Sequence, residues 1–174
     1  QQCHMPERRH LWRGIHDPEM VRQAMTVAIT LGAPAYHPGD TLQAVITLTN
    51  SGAGHYLPTY VTPKIFVEAA LLDQHGQDIA DSVQQSVIGR EVALDLSQEE
   101  YDTRLPPHAS HTFPYRHQVP WTAVALRVRV TVHPDHFYQR FFTATLQSSG
   151  ASPGRPYLEE ALRTTAASPY VVFE

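Results

Sequence analysis

The residues best suited to chemistry lie at the start of the chain. Cys3 is the only cysteine among 174 residues, and His4 follows it directly. A Cys-His pair forms the second half of C-x-x-C-H, the motif through which a haem is attached covalently and its iron is ligated. The first cysteine of that motif would stand immediately before Gln1. Attachment through one thioether and a chance Cys-His pair are the alternatives that the residues leave open.

Histidine is frequent along the whole chain, with 11 residues in 174. This reflects either a general surface bias or the presence of ligands, because imidazole is a common axial ligand of haem iron and the commonest ligand of transition metals. Two pairs, His108 with His111 and His133 with His136, have members three residues apart and could hold surface copper or zinc. Since histidine pairs of this spacing without a cysteine ligand are mostly solvated surface residues, solvated histidines are the favoured interpretation.

Composition restricts the class of protein. A chain of this length with 42% hydrophobic and 17% charged residues is expected to form one ordinary globular domain. A net charge of −4 disfavours a nucleic-acid partner, and no apolar run approaches the roughly 18–20 residues of a membrane span. The sequence has no G-x-S-x-G, P-loop or Rossmann glycine motif, so hydrolase and nucleotide-dependent activities lack support.

Local patterns predict the elements that would position these residues. Asp17-Pro18-Glu19 predicts a helix start, with Asp17 as N-cap and Pro18 as the first helical residue, and the helix should end near Gln23. Period-2 alternation predicts strands at 24–31, 42–50 and 123–133. Further strands are predicted at 64–73 and 110–115, with an apolar strand at 170–173 and one short strand within 82–92. Residues 95–102 are predicted as a loop or one helical turn, and 135–146 and 157–164 as short helices.

About seven short strands at this spacing predict a mainly β fold, an immunoglobulin-like β-sandwich with an irregular N-terminal arm and one or two short helices. The arm and its short helix would occupy residues 1–23, and the sandwich domain residues 24–174. The predicted core residues of the sandwich are Val45, Ile46, Val67, Leu71, Leu126, Val128 and Val130.

Three segments resemble the C-terminal β-sandwich region of bacterial multihaem c-type cytochromes. Residues 3–6, Cys-His-Met-Pro, are similar to the end of their last haem site, where Met-Pro follows CxxCH. Residues 10–17 are similar to the H-x-x-x-G-x-H segment that follows it, and residues 50–59 to the N-x-G-A-G-H-x-x-P-T loop of the sandwich. The chain departs from the pattern at Tyr60, where Gly is usual, and at Lys64, where Arg is common.

The resemblance implies a role and a cofactor. Cys3 would form the haem thioether and His4 would be the proximal axial ligand, so the chain would carry at most one covalently bound haem c. The implied function is electron transfer as the C-terminal module of a multihaem cytochrome, so an electron-transfer protein or redox subunit is favoured over an enzyme. The implied partners are other haem domains or redox chains, and the implied location is periplasmic or extracellular in a bacterium. The alternative is a secreted β-sandwich binding module that holds copper or a protein partner through its histidines, without haem.

The distal iron ligand has several candidates. His10 lies six residues after His4, a span of at most about 20 Å, whereas His16 lies twelve residues after it and can span about 40 Å. His16 is therefore predicted as the distal ligand. His10 and His55 are alternative distal ligands or ligands of a neighbouring haem, and His55 is otherwise a turn histidine bonded to its own glycine-rich loop. Two imidazoles would saturate the iron for electron transfer, whereas an open sixth position would allow catalysis.

Overall fold

The computed structural model describes residues 4–9, 13–148, 150 and 152–174, so Cys3 and His10 lie outside the described residues. The described part is mainly β, with eight strands and three α-helices. In chain order these are α1 Pro18–Ala24, β1 Met25–Leu31, β2 Thr41–Asn50, β3 Lys64–Asp73, β4 Gln84–Val92, β5 Glu99–Asp102, β6 Ser110–Gln118, β7 Ala123–His133, α2 His136–Ser148, α3 Arg155–Ala166 and β8 Tyr170–Phe173. Among these residues, no helix combines the length and apolarity needed to cross a membrane.

The strands form two antiparallel sheets. One sheet has the order β1-β2-β6 and the other the order β5-β4-β3-β7-β8. Successive strands cross between the sheets at β2 to β3, β5 to β6 and β6 to β7, which is the connectivity of an immunoglobulin-like sandwich. The predicted fold class is therefore confirmed. Helices α2 and α3 pack against each other and are inserted between β7 and β8.

The core lies between the two sheets, and strict alternation places its residues. In β2 the buried apolar residues are Leu42, Ala44, Ile46 and Leu48, so the intervening Val45 points outward and is 40% exposed. The prediction that Val45 belongs to the core was wrong, because two adjacent strand residues face opposite sides of a sheet. The facing sheet contributes Ile65, Val67, Leu71, Val128, Val130 and Val132.

The remaining differences from the predicted elements concern the sheet edge. Residues 99–102 were predicted as a loop or helical turn but form β5, which pairs with the end of β4 at Arg90, Glu91 and Val92. All four residues of β5 are exposed, so they carry no apolar alternation, and backbone pairing alone makes them a strand. The short strand predicted within 82–92 is the nine-residue β4, and the two predicted short helices are confirmed with longer bounds.

The predicted helix start is also confirmed. A carboxylate oxygen of Asp17 accepts a hydrogen bond from the backbone N–H of Met20 at 3.0 Å, and Pro18 is the first helical residue. The guanidinium of Arg13 pairs with the Asp17 carboxylate and, with that N–H, lowers its pKa to about 2. The carboxylate is thus held charged at the helix N-terminus, where a negative charge is stabilised.

Candidate functional site

The glycine-rich loop after β2 is fixed by one buried amide. The Asn50 side chain is fully buried; its Nδ2 donates to the carbonyl oxygens of His55 at 2.8 Å and Leu105 at 3.0 Å. Its Oδ1 accepts from the backbone N–H of Ala53 at 3.1 Å. One side chain therefore sets the path of the loop on both sides of its bend and fixes the backbone position of His55.

The same loop lies directly against the end of α1. The backbone N–H groups of Ser51 and Gly52 both donate to the carbonyl oxygen of Ala24, at 3.1 and 3.0 Å. A Cβ atom on Gly52 would lie only 2.2 Å from the carbonyl oxygen of Gln23, so glycine is required for this close approach. The loop and the segment that leads into the sandwich are thus held as one unit.

The ring of His55 has a defined orientation. Its Nδ1 lies 2.9 Å from the carbonyl oxygen of Tyr56 and 3.1 Å from the hydroxyl of Thr59. A carbonyl oxygen only accepts hydrogen bonds, so Nδ1 carries the proton and donates. In the neutral ring this leaves Nε2 with a free lone pair, which is the state in which histidine binds a metal.

His4 shows the same arrangement, with its Nδ1 bonded to a backbone carbonyl oxygen. Its Nδ1 donates to the carbonyl oxygen of Arg13 at 2.5 Å, and its side chain is exposed. The rings of His4 and His55 have centroids 6.0 Å apart, and their planes differ by 21°. The structure therefore brings together two of the histidines that the sequence singled out, 51 positions apart, each with Nδ1 bonded to a backbone carbonyl.

This pair can be tested for its fit to an iron with two axial imidazoles. Rings on opposite sides of one metal ion have centroids about 6 Å apart, since a metal–imidazole bond is about 2 Å long and the ring centre lies about 1 Å beyond the nitrogen. The observed 6.0 Å agrees with this value, although two rings in offset contact have a similar separation. The matching tautomers are the second feature that fits a metal pair, because among the described residues no hydrogen-bond partner is found for either Nε2 atom.

His16 is placed differently. Its Nε2 lies 3.1 Å from both carboxylate oxygens of Asp135, which directly precedes α2. The nitrogen that would bind iron thus has a carboxylate partner. His16 and Asp135 line an open cleft of about 410 Å³ whose other walls include Thr59, the residue bonded to His55; the cleft is further lined by Tyr60, Val61, Thr62, Arg90, Arg104 and Tyr138. The predicted distal ligand is therefore near the His4–His55 pair but not part of it.

The remaining histidines do not converge on a metal site in the described residues. The Nε2 of His111 is bonded to the Ser86 hydroxyl at 2.8 Å. His133 and His136 have ring centroids 6.4 Å apart and both contact Phe66, and burial lowers the pKa of each ring. Within the described part of the chain, no group of three or more His, Cys, Asp or Glu side chains is arranged to hold a metal ion.

The burial of one charged side chain, Lys64, was not predicted from the sequence. Lys64 at the start of β3 is 1% exposed, with Nζ 3.3 Å from a carboxylate oxygen of Glu91 and bonded to the carbonyl oxygen of Arg90. Glu91 also pairs with Arg140, so the cluster joins β3, β4 and α2. Burial, with a smaller contribution from Arg140, lowers the pKa of Lys64 to about 8. A lysine directly before the apolar run Ile65–Val67 was the available signal.

Comparisons with known proteins provide a likeness of fold. No protein-family model matches the chain, and no curated protein matches it. Among solved structures, the chain is similar to a penta-haem cytochrome c552 from Thermochromatium tepidum, with a TM-score of 0.66 and 16% identity over 99% of this chain. The chain spans 45% of the length of that cytochrome. It also matches the sporulation control protein Spo0M from Bacillus subtilis over 63% of this chain and 41% of that one, at 18% identity and a TM-score of 0.30.

Proposed function

We propose that the chain is an electron-transfer module of a multihaem c-type cytochrome, in which Cys3 forms the haem thioether and His4 and His55 are the axial ligands. The observation that carries the proposal is the facing pair of imidazole rings, 6.0 Å apart and 21° from parallel. Each ring donates its Nδ1 proton to a backbone carbonyl, which leaves Nε2 for the metal. The likeness of fold to a penta-haem cytochrome supports it.

The chemistry expected of the site follows from its ligands. When bound, haem iron supplies a one-electron redox couple. The protein's part is to orient two imidazoles and to hold their tautomers through the carbonyl oxygens of Arg13 and Tyr56. Because both axial positions would then be filled by protein nitrogens, substrate would have no position to occupy, and electron transfer is favoured over catalysis.

The wider organisation is part of the proposal. Residues 1–23 would form the haem-binding arm, and residues 24–174 the scaffold that presents His55 and docks other haem domains or redox chains. Attachment of c-type haem implies a periplasmic or extracellular location. His55 is preferred to His16 as the distal ligand because the Nε2 of His16 already faces the Asp135 carboxylate. His10 stays an alternative, as a ligand of a neighbouring haem.

The experiment is axial-ligand replacement in protein matured in a bacterial host that attaches c-type haem. His55→Ala should convert the low-spin ferric absorption and EPR spectra to high-spin, because one axial nitrogen is lost. His16→Ala should leave the iron low-spin. His75→Ala is the matched control, since His75 is an exposed turn histidine after β3 whose ring contacts the side chain of the neighbouring Gln74.

Two results would contradict the proposal at different points. Colourless protein with an unmodified Cys3 thiol would exclude the haem site altogether. A low-spin spectrum in His55→Ala together with a high-spin spectrum in His16→Ala would keep the haem and transfer the distal position to His16.

A further inference from the structure

The lead-in segment before α1 is held to the sandwich at two points. The hydroxyl of Tyr170 in β8 donates to the carbonyl oxygen of Ile15, and burial raises the pKa of Tyr170, so that this hydroxyl remains the donor. The Nε2 of His16 lies 3.1 Å from both carboxylate oxygens of Asp135. These contacts join residues 155 and 119 positions apart, so they tie the segment to two separate elements.

Both contacts lie next to the residue that holds His4. The carbonyl oxygen of Arg13 accepts the Nδ1 proton of His4, and Ile15 and His16 follow within three positions. His4 itself is exposed. Its place opposite His55 therefore depends on where residues 13–16 are fixed, and the Asp135 carboxylate, with a side chain only 17% exposed, is the more rigid partner of that contact.

From this geometry we propose that Asp135 is a positioning residue of the haem site: it binds His16 and thereby holds the arm so that His4 faces His55. The inference rests on the proposed function. It assigns His16 a role in the site that is neither iron ligand nor solvated surface. Among the described residues, the hydrogen-bond partner of the Asp135 carboxylate is His16 and neither His4 nor His55, so Asp135 would act through the arm.

The expected size of the effect is small but measurable. His16 is 63% exposed at the contact, and pairs of this kind stabilise by a modest amount in water. Asp135→Ala should therefore raise the population of arm-released protein by about two- to fivefold. His16→Ala should give the same increase, and the double variant should give no more than either single one, because all three remove one contact.

Two assays measure how often the arm detaches from the sandwich. In the haem-loaded protein, added imidazole should displace an axial histidine two- to fivefold faster in Asp135→Ala than in the unchanged protein. The displacement is followed by the change in haem absorption. In a haem-independent assay, trypsin should cleave after Arg13 faster by the same factor, as followed by mass spectrometry. Asp40→Ala is the matched control. Asp40 also contacts a histidine, with a carboxylate oxygen 3.6 Å from the Nδ1 of His37, but it lies outside the cleft that His16 and Asp135 line.

The outcomes separate this inference from the proposed function. Unchanged imidazole displacement and unchanged cleavage in Asp135→Ala would overturn the positioning role while leaving the haem site intact. Additive effects of the two single variants would also overturn it. Absence of covalent haem would end the proposed function, whereas the cleavage assay would still report on the contact. If Asp135→Ala fails to fold, His16→Ala, which removes the same contact from the other partner, serves in both assays with the same criteria.

Discussion

Replacing Asn50, the only asparagine in the chain, tests the account of the loop that presents His55. Asn50→Ala removes three hydrogen bonds made by one fully buried side chain: two donated to the carbonyl oxygens of His55 and Leu105, and one accepted from the Ala53 N–H. The carbonyl oxygen of Leu105 keeps a second donor, the N–H of Leu57 at 2.8 Å. The carbonyl oxygen of His55 and the N–H of Ala53 each lose their bond to the Asn50 side chain.

The magnitude follows from the bonds lost. A hydrogen bond between neutral groups contributes about 1 kcal/mol net, and leaving a buried partner unpaired adds to the loss, so Asn50→Ala should lower the free energy of unfolding by about 2–4 kcal/mol. For a chain of this length, that corresponds to a fall in Tm of roughly 5–15 °C. Asn50→Asp, which keeps the shape and the Ala53 bond, should be destabilised at least as much at pH 7. Its carboxylate would face two carbonyl oxygens without a proton to donate.

The assay is urea unfolding followed by far-UV circular dichroism, with the m-value checked for constancy. Gln43→Ala is the control, because Gln43 is an exposed amide on the same strand. A loss below 1 kcal/mol in Asn50→Ala would refute the conclusion that this side chain sets the loop. In haem-loaded protein, the same variant should also increase the high-spin fraction, since the backbone of His55 is no longer fixed.

Two further stability changes follow from close contacts and buried charge. Gly52→Ala should cost about 1–3 kcal/mol, because its Cβ would meet the carbonyl oxygen of Gln23, whereas Gly54→Ala in the same loop meets nothing within 4 Å and should change stability by less than about 0.5 kcal/mol; equal effects in a thermal melt would contradict the packing described. Folding lowers the pKa of Lys64 from 10.5 to about 8, so the unfolded chain binds more protons between these values and stability should rise with pH there, by about 2–3 kcal/mol relative to Lys64→Met. A flat difference between the two proteins from pH 7.5 to 10 in urea titrations would show that Lys64 is not desolvated.

The regular part of the fold could be predicted because its signals are local. Apolar alternation in β2 and β7 and the Asp-Pro start of α1 each specify their element within about ten residues. β5 could not be found this way, since its four exposed residues become a strand only by pairing with β4. The ion pairs around Lys64 are likewise long-range, since Glu91 of β4 pairs both with Lys64 and with Arg140 of α2.

The candidate site was predictable in its residue types but not in its pairing. Chain length alone favoured His16 over His10, and it carried no information on Asp135, which meets His16 from 119 positions away. His55 was singled out for its glycine-rich loop, and the contact that gives it significance is with His4. Such long-range contacts are set by the order of strands in the two sheets, which no local pattern encodes.

The hydrogen bond between Tyr170 and Ile15 has a consequence for biosynthesis. Its partners are 155 positions apart. The arm can therefore dock onto the sandwich only after the ribosome has released nearly all of these residues and β8 has paired with β7. Contacts of such long range form slowly, because a large loop must close before they can contribute. In the proposed cytochrome module, haem would therefore be attached while the arm is still undocked, and the pairing of β8 with β7 would follow attachment.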